Sequence, residues 1–118
     1  MTVEQSIQNA IRADAGAHQI YLFRNNSGVL YNPDGTPVRF GLGNDSKRIN
    51  DKLKSSDLIG FDRHGRFISV ECKPPDWRGV RTDHERAQLA WINLVRQNNG
   101  IAGFASSLTE FRSIMGLN

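Results

Sequence analysis

The residues of this chain best suited to chemistry lie along one short stretch, Phe67-Ile68-Ser69-Val70-Glu71-Cys72-Lys73. Its β-branched and aromatic content predicts a strand, and side chains alternate between the two faces of a strand. Ile68, Val70 and Cys72 then point one way, into apolar surroundings, while Phe67, Ser69, Glu71 and Lys73 point the other. A second strand over 58–61 precedes it, and Arg63-His64-Gly65-Arg66 has the composition of a turn joining the two as an antiparallel hairpin. That pairing sets Asp57 opposite 71–73, so two carboxylates and a lysine converge. Carboxylates at close range repel unless a cation sits between them. An oxygen donor set suits Mg²⁺ or Mn²⁺ rather than zinc. Such a cation can polarise a phosphodiester and activate water, and an ammonium beside it can orient the water or stabilise developing negative charge. An isolated Glu-x-Lys is more often a solvated pair, and an isolated Asp a turn former, so the spacing alone does not decide the matter.

The other reactive side chains are weaker candidates. Cys72 is the chain's single cysteine, which excludes an intrachain disulfide and a multi-cysteine zinc site; facing away from Glu71 and Lys73, it reads as a small buried hydrophobe. His18, His64 and His84 lack metal-ligand spacing with one another, and His64 and His84 read as solvated or phosphate-contacting residues. Gly41 and Gly43 are not followed by the Gly-Lys-Ser/Thr ending of a phosphate loop. Trp91 reads as core. Trp77, after Pro74-Pro75-Asp76, is either a stacking surface for a base or a cover over the core.

The elements that must position these residues are readable from periodicity and caps. Thr2 and Gln5 have capping-box spacing and Val3, Ile7, Ala10 and Ile11 share a face, predicting a helix that ends near Gly16. A strand is predicted over 20–24, then a turn over 25–28, then a hairpin with arms 29–31 and 38–40 around Asn32-Pro33-Asp34-Gly35. Residues 41–56 read as a basic loop with at most one helical turn. After the strands over 58–61 and 67–73, Thr82 and Glu85 cap a helix with Ala87, Ala90, Trp91, Leu94 and Val95 on its apolar stripe, ended by Asn99-Gly100. A strand over 101–105 and a helix capped by Ser107 and Glu110, burying Leu108, Phe111, Ile114 and Met115, complete the order. The class is α/β with a mixed sheet, and 67–105 makes a β-α-β unit with parallel strands.

At 118 residues and 13.2 kDa the chain fits one domain, large enough to fold without disulfide or metal staples. A net charge of +3 permits a polyanionic partner. No apolar window approaches a membrane span and the first residues lack a signal-peptide core, so a soluble cytoplasmic protein is expected.

The ordered set of these residues resembles the PD-(D/E)xK nuclease superfamily, and within it the VRR-Nuc (virus-type replication-repair nuclease) branch. The matching pieces run through nearly the whole chain: Glu4 on the first helix, Arg24-Asn25-Asn26-Ser27-Gly28, Phe40-Gly41, Ser56-Asp57-Leu58-Ile59-Gly60, Val70-Glu71-Cys72-Lys73, and Gln88 with Trp91. Ser56 stands where the superfamily has proline, and the basic segment over 43–54 has no clear counterpart. The resemblance implies a restriction-endonuclease-like mixed β-sheet flanked by helices, and a single nuclease domain over 1–118. It implies that Asp57 and Glu71 bind Mg²⁺ or Mn²⁺ with the backbone carbonyl of Cys72, that Glu4 completes the metal site, that Lys73 is the catalytic lysine and that Gln88 supports it. Glu4 has a plainer use as an acid in a first helical turn, and Gln88 as a half-buried polar residue. A stand-alone domain of this size resembles phage-encoded members. That implies a homodimer acting on branched DNA such as four-way (Holliday) junctions in a bacterial or phage-infected cell, with no membrane partner and no organic cofactor. Basic residues flank the site in sequence, and Lys47, Arg48, Lys52, Lys54, Arg78 and Arg81 are the expected nucleic-acid contacts, made mainly to backbone phosphates. The alternatives are a nick, flap or single-strand nuclease in repair or restriction, and a non-catalytic nucleic-acid-binding domain of the same fold.

Overall fold

A computed structural model of the chain describes residues 1–117. The helices are α1 (Val3–Ala17), α2 (Lys47–Asn50), α3 (Asp83–Gln97) and α4 (Leu108–Met115). The strands are β1 (Ile20–Arg24), β2 (Gly28–Tyr31), β3 (Pro37–Phe40), β4 (Leu58–Asp62), β5 (Phe67–Cys72) and β6 (Ile101–Ala105). The order agrees with the sequence reading, and the basic segment carries the one short helical turn, α2. Helix α1 starts at the expected capping box, with Thr2 Oγ1 accepting from the Gln5 amide at 3.1 Å and the Gln5 side chain accepting from the Thr2 amide at 2.8 Å. It runs one residue past Gly16, and Gln19 in a left-handed conformation (φ 59°) turns the chain into β1.

Four strands form a mixed sheet in the order β1-β4-β5-β6. The pairs β1–β4 and β4–β5 are antiparallel; β5–β6 is parallel across the α3 connection, as the β-α-β reading requires. Strands β2 and β3 pair only with each other, in a separate antiparallel hairpin. One face of the main sheet packs on α1 and α4 through Ile11, Ile20, Leu58, Ile68, Val70 and Phe111. The opposite face of β5 and β6 packs on α3 through Ile92, Val95 and Ala102, with Trp91 and Phe104 at the edge.

Burial departs from the sequence reading on two helices, α3 and α4. Strand β5 is buried on both faces from Ile68 to Cys72, because the parallel crossover brings α3 down onto the face that carries Ser69 and Glu71. The buried side of α3 is also rotated. Its buried residues are Ala87, Gln88, Ile92 and Val95, while Leu94 is 39% exposed, because residues spaced i, i+4 and i+7 from Gln88 meet β5 and β6. On α4 only Phe111 is fully buried; Leu108, Ile114 and Met115 flank the core half-buried. No helix among the described residues is long and apolar enough to cross a membrane.

Helices α1 and α4 are tied by a two-pronged ion pair. Arg112 donates from Nε to Asp14 Oδ2 at 3.0 Å and from Nη2 to Oδ1 at 2.6 Å. The guanidinium holds the Asp14 carboxyl below its usual value of 3.8. A carboxyl with a lowered folded-state pKa adds stability above its ordinary value and loses it as pH falls through the lowered one. Arg112→Ala is therefore expected to lower the urea midpoint at neutral pH. The gap to wild type closes as pH drops below 3.8. A gap of constant size between pH 7 and pH 3 would assign the effect to packing instead.

Candidate active site

The register Leu58↔Val70 places Asp57 and Glu71 opposite each other where β4 begins and β5 ends. Asp57 Oδ2 accepts from the Cys72 amide at 3.0 Å, which fixes its carboxylate across the strand ends. The Asp57 backbone is fixed from the other side: the Asn25 amide donates to the Asp57 carbonyl at 2.7 Å. The Asn25 side chain donates to Ser55 Oγ at 2.8 Å and to the Ser56 carbonyl at 2.9 Å, and accepts from the Leu42 amide at 3.1 Å. One asparagine at the end of β1 thus joins β1, the 41–56 segment and the start of β4. Asn25 belongs to the resembling motif, but nothing in its local spacing announces this role.

Ser56 is 2% exposed, and its hydroxyl has no hydrogen-bond partner among the described residues. A buried hydroxyl that has lost water without gaining a partner costs stability. Ser56→Ala is expected to raise the unfolding free energy by about 1 kcal/mol. An unchanged or lower urea midpoint would mean that the hydroxyl is satisfied in solution.

Glu71 is only 6% exposed. Burial, and the Asp57 carboxylate beside it, push its carboxyl up to about 9, against the opposing pull of Lys73. Two acids in this position cannot both ionise without a counter-charge, so in a protein without a cation Glu71 keeps its proton. The donor set tests well against the implied metal. It is made of oxygens, its charge is deficient by one cation, and Mg²⁺ characteristically binds through one or two carboxylates while keeping several waters. Asp57, Glu71 and the Cys72 carbonyl are the groups that could hold it. Glu4 lines the same cleft from α1 but is exposed. Among the described residues no three of His, Cys, Asp and Glu draw together as a cation cage. Cys72 is fully buried, and burial with the nearby carboxylates raises its thiol pKa, so it stays protonated and inert, as expected.

Lys73 follows Glu71 on the same face, and α3 supplies its partner. Ser69 Oγ accepts from Trp91 Nε1 at 2.9 Å, and Lys73 Nζ donates to Gln88 Oε1 at 2.8 Å. Gln88 is 6% exposed, and its amide nitrogen lies 3.2 Å from His84 Nε2. Lys73, Gln88 and His84 therefore form a chain along one helix face. Burial and the Lys54 and Lys73 charges lower the His84 pKa, which keeps the ring neutral at pH 7 and able to accept from Gln88. Residues 84, 88 and 91 share one helical face, from which Trp91 reaches Ser69 and Gln88 reaches Lys73; His84 was the member missed by sequence reasoning.

Asp57, Glu71, Lys73, His84 and Gln88 line a cleft of about 490 Å³, whose other wall is the β2–β3 hairpin with Arg39 and the buried Asn44. Arg39 donates to the Asn44 carbonyl and side-chain oxygen, both at 2.7 Å, and Asn44 Nδ2 donates to the carbonyls of Gly28 and Phe40. Of the predicted phosphate contacts, Lys54 lines this cleft, with Nζ donating to Asn50 Oδ1 at 2.5 Å. Lys52 lines an adjoining groove with Lys54, His84 and Arg86. Lys47, Arg48, Arg78 and Arg81 are exposed and line neither. Trp77 covers Phe104: the two rings pack at a tilt of 38° with centroids 4.7 Å apart. The chain matches no family model, no curated protein and no solved structure.

Proposed function

We propose that this chain is a divalent-metal-dependent endodeoxyribonuclease of VRR-Nuc type, with a restriction-endonuclease-like sheet in a single domain, hydrolysing phosphodiester bonds in structured DNA. The observation that carries the reading is the pair Asp57 and Glu71, one of them buried at a forced proton, with an ammonium held beside it in a polar cleft. A structural pair would not be expected to keep two acids together in a buried site at this cost.

Asp57 and Glu71, with the Cys72 carbonyl, would hold Mg²⁺ or Mn²⁺. When bound, such an ion supplies neutralising charge for the phosphodiester and lowers the pKa of a water. The Cys72 amide keeps the Asp57 carboxylate aimed at the strand ends. Lys73 presents a fixed positive charge where negative charge develops, or orients the attacking water. Gln88 sets the reach of Lys73 by holding one of its three N–H groups. Arg39, Lys54 and Lys52 provide cations for flanking phosphates, so recognition follows backbone shape more than base identity. Lys47, Arg48, Arg78 and Arg81 would contact only DNA extending beyond the cleft, and Glu4 would act through water rather than as a direct third acid.

Four-way junctions are the proposed substrate and a homodimer the proposed assembly, since two symmetric cuts need two sites. Both rest on analogy with phage-type members. The test is cleavage of labelled junction, flap, linear duplex and single-stranded DNA with Mg²⁺, Mn²⁺ or EDTA, beside Glu71→Ala. Paired junction cuts abolished by EDTA and by the substitution are expected. Cutting of the other substrates with light scattering at monomer mass would keep the chemistry and move the substrate to flaps, nicks or single strands. The rival reading is a non-catalytic nucleic-acid-binding domain of the same fold. Retained DNA binding with no metal-dependent cut would establish that reading and overturn ours.

A further inference from the structure

Lys73 is held by more than Gln88. Its Nζ lies 5.5 Å from the centroid of the Trp77 ring and 5.7 Å from that of Phe104, within range of the attraction between a cation and an aromatic face. The Glu85 carboxylate stands 4.0 Å away. The two rings pack against each other at a tilt of 38°, so they form one continuous wall.

This wall is itself anchored. Trp77 Nε1 donates to Glu85 Oε2 at 2.5 Å. Glu85 Oε1 accepts from the Arg81 amide at 2.9 Å, the Thr82 amide at 3.0 Å and the Thr82 hydroxyl at 3.2 Å, as the capping residue of α3. These donors hold the Glu85 carboxyl down at about 2, so it stays charged and in place. The Glu85 oxygen nearest Lys73 is the one committed to the indole N–H. The ammonium is therefore not drawn into a tight ion pair away from the cleft. A lysine side chain is otherwise free in several rotamers, and a fixed wall reduces that freedom before the substrate arrives.

We propose that Trp77 is a positioning residue for Lys73: anchored through Glu85 and backed by Phe104, its indole holds the ammonium facing the Asp57–Glu71 pair. The proposal rests on the nuclease reading, in which Lys73 is catalytic. Trp77→Leu removes the aromatic face and the N–H; Trp77→Phe restores a face without the N–H.

Two readouts test it. Proton NMR of the metal-free wild type is expected to show the Lys73 ε-methylene displaced upfield by the rings, moving toward its random-coil position in Trp77→Leu and partly back in Trp77→Phe. In steady-state cleavage, Trp77→Leu is expected to lower kcat by about 10-fold to 100-fold with KM within twofold, as for a misplaced catalytic group, and Trp77→Phe to recover most of it. Unshifted Lys73 protons in the wild type overturn the proposal without reference to cleavage. Wild-type kcat in a folded Trp77→Leu protein, where Lys73→Ala is inactive, overturns it while leaving the nuclease reading intact. Shifted Lys73 protons in a wild type that cuts no DNA overturn the nuclease reading, and the proposal with it.

Discussion

Lys73→Ala is expected to fold, to bind DNA and to lose cleavage by a factor of about 10² to 10⁴, the range for deleting a group that serves the transition state. The side chain projects from the end of β5 into the cleft, and alanine removes its contacts with Gln88, Trp77 and Phe104 while leaving the α1–α4 side of the sheet, with Cys72, Val70 and Ala105, intact. The Lys73 amide donates to the Ala105 carbonyl at 2.9 Å, and alanine keeps that bond. The Gln88 oxygen loses its donor while the amide nitrogen keeps His84, and Glu85 retains Trp77 and the α3 cap. Lys73→Arg should not rescue, because a planar guanidinium cannot occupy the space between the Gln88 oxygen and the aromatic wall in the way a compact ammonium does. The checks are circular dichroism, a DNA-binding titration and single-turnover cleavage on the same preparation. A folded Lys73→Ala protein with wild-type cleavage would remove the lysine from the mechanism.

Gly60→Ala carries the largest expected effect on stability. Gly60 sits in the middle of β4, opposite Leu22 of β1. A β-carbon built there would lie 1.7 Å from the Tyr21 carbonyl oxygen and 2.8 Å from its carbon. The obstruction is backbone, so no rotamer change relieves it, and β1 must part from β4. We expect a loss of more than about 3 kcal/mol, above the usual penalty for overpacking a core. A substantial unfolded fraction follows, since domains of this kind are stable by only about 5–15 kcal/mol. The damage should reach the site, because Asn25 at the end of β1 holds the Asp57 backbone. Gly65→Ala is the control. Gly65 has φ 79° in the β4–β5 turn with open space around it, so alanine costs only the backbone strain, about 1 kcal/mol. A urea midpoint for Gly60→Ala equal to that of Gly65→Ala would mean that β1 and β4 are less closely apposed than described.

What was legible in the sequence is what depends on local period and caps. Alternation along β5 put Glu71 and Lys73 on one face, and the short turn over 63–66 implied the register that brings Asp57 to Glu71. The capping boxes at Thr2 and Thr82 set the starts of α1 and α3. What was not legible depends on contacts far apart in the chain. The burial of both faces of β5 follows from where α3 lands, which its own periodicity does not encode. The same docking turned Gln88 inward and Leu94 outward. Glu85 reads locally as a cap residue and nothing more, since its hold on Trp77 needs the 74–82 loop to fold back over α3. Asn44 reads as a loop polar residue, yet its burial and its hydrogen bonds to Arg39, Gly28, Phe40 and Gly41 secure the base of the β2–β3 hairpin.

That hairpin shares no ladder with the four-stranded sheet. Two strands alone are marginal in water, and this pair leaves Leu30, Tyr31, Val38 and Phe40 exposed, so its amides open locally at low cost. The amides of β5, buried between helices, are expected to exchange with solvent only when the whole domain opens. The rim of the cleft and its floor thus belong to different cooperative units. A strand lying across both would slow hydrogen exchange at the rim while leaving the floor unchanged, and occupancy of the cleft would be written first in the protection of residues 28–31 and 37–40.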